Sequence, residues 1–473
     1  MINYFRKHTV SSIGVLMLII VFSFYFHGLI KVNVNYHPVW NDEFFYFINA
    51  NAYFQNNTLQ AALTLNGIGS VIFKSDAHGF IYPLLHGGFA KLVGWHTFNL
   101  IWFNFLLIGI SLCLIFYLLP IPFNSKLNVT LIMLLFPFIP LYAFTYMQEI
   151  MQVFFAIVIS ILFYHISQKN NNKGLILVLV LIIILSSLFR ASWFFWLIGL
   201  LPFAKNKLQQ IYFSILFILG FIASIVYINL FSEAVPNYFS NMLSLLLKGE
   251  VYEVTHSLFF HTLQNIKLYF FSTNKSLVYF SMKFLTAGTI AFFSYDAIKS
   301  KDKLSMSILL IGFVNFILVF IFYDANYWRE IRTLSPLFYF TILFLVLKLQ
   351  KRSLYLLICF LFGLFTLSFK ISNQQIKERS NMSNFNQKEH DAFQLLAQHI
   401  AKDQVVLINN LSIEHTWFMM YLPLQNKHKQ PIKYMIPFYG LQNKLYNFTL
   451  SKTLSQNHGK LVLATPYFAL YKN

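Results

Sequence analysis

The sequence predicts an all-α polytopic membrane protein with about eleven transmembrane helices and a small C-terminal α/β domain. Three observations carry this reading. Hydrophobic residues make up 57% of the 473 residues and charged residues only 11%, against about 25% charge in an ordinary soluble domain. Apolar runs near the roughly 20 residues that a membrane span needs recur from one end of the chain to about residue 371. The basic residues fall in short segments between alternate runs. With a mean hydropathy of +0.60, a soluble fold of this length has no interior large enough for so much apolar surface. A cytosolic enzyme, a disordered chain and a disulfide scaffold are therefore excluded. The net charge of +19 would suggest nucleic acid in a soluble protein. Here the charges separate apolar runs, so they read as topology signals and phosphate partners, with no nucleic-acid partner. Cys113 and Cys359 lie inside apolar runs and suit neither a metal nor a disulfide.

In chain order the expected spans are 11–31, 98–119, 128–145, 150–167, 174–189, 191–204, 208–231, 276–297, 304–323, 333–349 and 353–371. The first is too long for a signal peptide and has no small-residue cleavage site, so it reads as an anchor. The fifth and sixth are short and joined by Arg190, as in a broken hairpin. An N-terminus on the cytoplasmic side, with Arg6 and Lys7, places Lys126, Lys169, Lys173, Lys205, Lys207, Lys299, Lys301, Lys303, Lys348, Lys351 and Arg352 in cytoplasmic loops. Each such loop is short and basic, as the positive-inside rule requires. An odd number of spans puts the C-terminus outside. The expected division is a membrane domain over 1–371, including an outer loop at 32–97, and an extracytoplasmic α/β domain over 372–473. In that tail, 388–401 has helical spacing, while 405–408 and 460–464 read as strands.

Acids are scarce, so their positions inform. The outer loop contains Trp40-Asn41-Asp42-Glu43-Phe44-Phe45-Tyr46-Phe47. On a helix over 42–54, Asp42, Tyr46, Asn49 and Tyr53 share a face, which predicts an amphipathic helix on the membrane surface. Asp42 and Glu43 then point about 100° apart and do not serve one site together. Glu149 stands where the fourth span opens. It is either a solvated boundary residue or, flanked by apolar residues, a functional carboxylate. Asp76 and His78 read as metal ligands, a catalytic pair or a loop that merely caps the helix, and a lone Asp-x-His is a weak signal. Arg329 and Arg332 frame the outer end of the tenth span, where they can snorkel, pair with Glu330 or bind a lipid phosphate.

Taken in order, these features resemble the GT-C glycosyltransferases that use polyprenyl-phosphate sugars, which include protein O-mannosyltransferases and lipid A aminoarabinose transferases. The resemblance rests on Asn41-Asp42-Glu43-Phe44-Phe45-Tyr46 after the first span and on His78-Gly79-Phe80-Ile81-Tyr82-Pro83-Leu84-Leu85 before the second. It continues with Glu149 opening the fourth span, the short hairpin with Arg190, and Arg329, Arg332 and Pro336 entering a late span. Together these cover about 1–340. Many relatives have His-Pro-Pro-Leu where this chain has His78-Gly79-Phe80-Ile81, and some have Asp at the second acid.

The resemblance implies an inner-membrane inverting glycosyltransferase. It would move a sugar from a polyprenyl-phosphate carrier to a lipid, glycan or protein acceptor on the outer face. It assigns the general base to Asp42, with Glu149 and Glu43 as the other candidate catalytic carboxylates. Lys74, His78, Arg190, Arg329 and Arg332 are candidates for holding the donor phosphate. It names no certain cofactor and leaves a divalent metal open, because the His, Asp and Glu residues here lack diagnostic spacing. Two other classes compete. An O-antigen polymerase or ligase would use a late loop, here 232–275 with Glu250, Glu253, His256 and His261. A transporter would carry ionisable groups near the bilayer midplane, where these spans have almost none.

Overall fold

The computed structural model describes residues 2–33, 36–57, 59, 61–64, 81–168, 172–231, 238–271, 276–322, 329–381, 387–401, 404–408, 422–435, 447–451, 460–466 and 468–472. The membrane part opens with α1 (Ile2–Ile30). Helices α2 (Asn41–Asn56) and α3 (Ile81–Val93) follow, with the short strand β1 (Leu63–Thr64) between them. Next come α4 (Asn99–Leu118), α5 (Phe123–Leu135), α6 (Phe138–Tyr142), α7 (Glu149–Gln168) and α8 (Lys173–Ser187). A 3-10 helix (Ala191–Phe203) leads into α9 (Lys207–Phe231), α10 (Tyr238–Leu247), α11 (Val251–Phe271), α12 (Leu277–Ser300), α13 (Lys303–Phe322), α14 (Arg329–Lys348) and α15 (Lys351–Asn381). The segment expected as an outer loop at 232–275 thus holds two helices, α10 and α11.

Every expected span coincides with helix. Among the described residues, seven helices are long and apolar enough to cross a membrane: Ser12–Ile30, Asn99–Leu118, Glu149–Gln168, Lys207–Tyr227, Leu277–Ser300, Lys303–Ile321 and Lys351–Ser380. The run expected at 128–145 is broken. Pro137 offers no N–H and disfavours a helical conformation at the preceding residue, and Phe136 turns extended at φ −62°, ψ 128°. The short sixth run solves its length differently. Its 13 residues form a 3-10 helix, which at about 2.0 Å per residue reaches about 26 Å, where an α-helix would reach about 20 Å. In that geometry residues three apart eclipse. Arg190, Trp193, Trp196 and Gly199 fall on one buried stripe, and the two indoles lie 4.3 Å apart.

The tail carries α16 (Gln387–Gln394), α17 (Leu396–His399), β2 (Val405–Ile408), β3 (Lys433–Met435), β4 (Phe448–Ser451), β5 (Lys460–Ala464) and β6 (Ala469–Lys472). The six-stranded sheet has the order β1-β3-β2-β4-β6-β5. Its edge strand β1 comes from the loop after the first span and pairs parallel with β3, Leu63 opposite Tyr434. Residue 371, the expected end of the membrane domain, lies within α15, which runs on to Asn381.

Candidate active site

Helix α2 is not the amphipathic surface helix that its pattern predicts. Residues 43–50 are all buried, Tyr46 and Asn49 included. Neighbours distant in sequence cover the face expected to meet water or lipid headgroups. α3 crosses so closely that a Cβ on Gly87 would lie 2.6 Å from the Ala50 carbonyl oxygen. β1 is held on α2 by the Asn49 Oδ1, which accepts from the Ala62 and Leu63 N–H groups at 2.9 and 3.1 Å.

The two adjacent acids of α2 part as the helix spacing requires. Glu43 turns inward. Its carboxylate accepts from the Val39, Trp40 and Tyr146 N–H groups at 2.8, 2.9 and 2.9 Å. Arg379 NH2 lies 2.8 and 3.0 Å from its two oxygens, and the guanidinium stacks over Trp40. Asp42 stays 44% exposed, and its Oδ2 lies 3.3 Å from Arg332 NH1. The same NH1 stands 3.6 Å from Oε1 of Glu149, whose side chain is 1% exposed. Arg190, also buried, acts electrostatically on Glu149. Its Nε and NH1 have no hydrogen-bond partner among the described residues, and neither oxygen of Glu149 accepts a hydrogen bond there.

All four residues sit where helices begin. Asp42 and Glu149 are in the first turns of α2 and α7, Arg332 is in the first turn of α14, and Arg190 is the N-cap of the 3-10 helix. A helix N-terminus presents unsatisfied N–H groups and a partial positive charge, which suits acids but opposes arginine. Arg332 is held at such an end by the two carboxylates. The cluster therefore balances two acids against two arginines and adds the positive ends of several helices, so its field favours an anion.

A pinned turn sets Glu149. Asn104 donates to the Ala143 and Thr145 carbonyls at 3.3 and 3.0 Å. The Tyr82 hydroxyl donates to the Met147 carbonyl at 2.7 Å. Burial, reinforced by the Glu149 and Glu43 charges, pushes that hydroxyl well above its usual value, so it remains a donor. One turn along α7, Gln152 accepts from the Trp193 indole N–H, which ties the start of α7 to the helix that follows Arg190. His86, one turn beyond Tyr82, packs between the Tyr82 and Phe103 rings. Burial lowers it to about 3, so the imidazole is neutral.

Of the expected site residues, the structure brings together Asp42, Glu149, Arg190 and Arg332 and turns Glu43 away from them. Arg329 opens α14, but its side chain lies outside the described residues, as do Lys74, Asp76 and His78. The sequence reading missed Arg379, the partner of Glu43. It lies 336 residues away in a polar tail segment, and nothing local marks it. It also missed Tyr82 as a brace, although the Tyr82-Pro83 step was in view. Among the described residues no group of three or more His, Cys, Asp or Glu could hold a metal.

The architecture is a helical bundle with this cluster where several helices begin and a small mixed sheet beside it. Solved structures share this architecture. ArnT from Cupriavidus metallidurans in the apo state is 11% identical, with a TM-score of 0.52 over 98% of each chain. The same protein bound to undecaprenyl phosphate is 10% identical, with a TM-score of 0.52 over 96% of this chain and 97% of that one. An Archaeoglobus fulgidus oligosaccharyltransferase complex with Zn and sulfate is 12% identical, with a TM-score of 0.51 over 91% of this chain and 67% of that one. No family model matches the chain, and no curated protein matches it by sequence. At this identity the likeness establishes the fold, and the function must be argued from the site.

Proposed function

We propose that the protein is an inverting glycosyltransferase of the inner membrane that uses a polyprenyl-phosphate sugar, with Asp42 as general base. The observation that carries this reading is the Asp42–Arg332–Glu149 cluster, in which the base candidate is the exposed member and the cations lie beneath it. The Asp42 carboxylate takes the proton from an acceptor hydroxyl or amine. The acceptor atom attacks the anomeric carbon and forms the new glycosidic bond. The bond from that carbon to the phosphate oxygen breaks, and its electron pair leaves with the lipid phosphate. Arg332 and the unpartnered donors of Arg190 stabilise the charge that develops there. Glu149 orients the two guanidinium groups. The ArnT structure bound to undecaprenyl phosphate supports a lipid-phosphate donor. Zn accompanies the oligosaccharyltransferase structure, but here a guanidinium stands between the two carboxylates. The described donor set does not fit a metal.

The basic segments between alternate spans support placing the cluster and the tail outside the cytoplasm. The test uses full-length protein in vesicles of known orientation, with undecaprenyl-phosphate sugars supplied from either side. Release of undecaprenyl phosphate is expected only from donor on the tail side. Asp42→Asn should cut it by about 10²–10⁴-fold without loss of folded protein. Near-parent turnover by Asp42→Asn overturns the assignment.

A further inference from the structure

The end of α15 and the tail beyond it reach α2 at both ends and, through β1 of the loop after the first span, in the middle. At the start of α2, Arg379 of α15 grips Glu43, the residue next to Asp42. The neighbouring Ser380 hydroxyl donates to the Lys31 carbonyl at 3.1 Å. Midway, Asn49 holds β1. The Ala62 carbonyl beside that strand accepts from the Tyr434 N–H at 2.7 Å, and β1 pairs with β3. At the far end, Gln425 Nε2 donates to Asn56 Oδ1 at 2.7 Å, and Asn56 Nδ2 donates to the Leu424 carbonyl at 3.3 Å. These points span a 16-residue helix, about 24 Å at 1.5 Å per residue. Tyr46 and Gly87 hold the α3 side.

We infer that the end of α15 and the C-terminal sheet together form a clamp on α2 that sets the position of Asp42 against Arg332, with Arg379 as the positioning residue at its near end. The inference rests on the proposed transferase reading for its effect on turnover, and on geometry alone for the clamp. Among the described residues Asp42 makes one 3.3 Å contact, to Arg332, and is 44% exposed, so it is held far more loosely than Glu43. Glu43, one residue along the same backbone, is fixed by three backbone N–H groups and a guanidinium. Any tilt or roll of α2 that the clamp permits is therefore delivered to Asp42. Misplacing a reacting group by about 1 Å can cost about 10²-fold.

The experiment uses the full-length protein with Arg379→Lys, which keeps the buried charge but loses the fork, and Asn49→Ala, which releases β1. Amide hydrogen exchange is measured on α2 and α7, and kcat and KM are measured with undecaprenyl-phosphate sugar. In both variants α2 should exchange at least about tenfold faster while α7 keeps its protection. The kcat should fall about tenfold or more, with KM for the donor within about threefold. Unchanged α2 exchange in folded variants overturns the clamp. So does a lowered melting temperature with parent kcat per folded molecule, which is a merely structural role. If the parent transfers no sugar, the transferase reading fails, and α2 exchange alone decides the clamp.

Discussion

Asp42 and Glu43 are neighbours on one helix, and each meets an arginine, yet the two pairs are built in opposite ways. Around Glu43 the carboxylate is fully engaged: three backbone N–H groups and Arg379 NH2 donate to it, and neither partner is more than 1% exposed, although Arg379 Nε has no hydrogen-bond partner among the described residues. Around Asp42 the network is open. The acid is half exposed, Glu149 is buried without a hydrogen bond, and Arg190 keeps two unpartnered donors among the described residues. A buried polar network that is fully satisfied rigidifies the fold, whereas one left incomplete costs stability and calls for an explanation. The proposed explanation is a ligand: a lipid phosphate would complete the open network, whereas the Glu43 carboxylate already has its donors.

That contrast can be broken or sharpened by mutation. The largest effect is expected at Asp42, where the asparagine variant should fold normally and lose transfer. Arg332→Ala comes next. It should lower kcat by about 10²–10³-fold, the cost of losing one preorganised donor to the leaving group. Steady-state kinetics on purified protein that melts like the parent checks this, and parent-like donor turnover would reduce Arg332 to a structural charge. Glu43→Gln should act through stability instead. Removing one partner of a buried ion pair leaves the Arg379 charge uncompensated, which costs about 3–5 kcal/mol. Denaturation in detergent reads that loss. A Glu43→Gln protein as stable as the parent but inactive would mean that the catalytic and structural roles have been exchanged.

The smallest effect is expected at the other end of the bundle. There Lys348 pairs with Asp302 at 2.9 Å and with Asp296, and all three side chains are partly exposed. Solvent screening limits such a network to about 0.2–1 kcal/mol. Burial raises the Asp302 carboxyl, but hydrogen bonds from Lys348 and Ser305 outweigh it and hold the group below its usual 3.8. Its contribution is therefore present above the unfolded value and is lost as pH falls through the folded one. Asp302→Asn should lower stability slightly at pH 7, and the difference should vanish in acid. A large cost at neutral pH would place a buried network at this end too.

By itself the sequence determined the class, most of the elements and the parting of the two acids. Apolar runs of helical length have no alternative in a bilayer, because every backbone group must be satisfied within the segment. The strands Val405–Ile408 and Lys460–Ala464 were legible from runs of apolar and β-branched residues, and their observed bounds match. The angle between Asp42 and Glu43 follows from helical geometry wherever the helix lies. Only the tertiary structure decided what each acid meets. Arg379 and Glu43 are 336 residues apart, and Arg332 and Asp42 are 290 apart, so no local pattern distinguishes the buried partner from the open one. The same holds for the face of α2. Its polar-aromatic stripe predicts an interface with water, but α3 and a strand belonging to the tail sheet cover it. Hydrophobic periodicity reports how a segment would sit alone on a boundary, whereas burial depends on which distant segments fold over it.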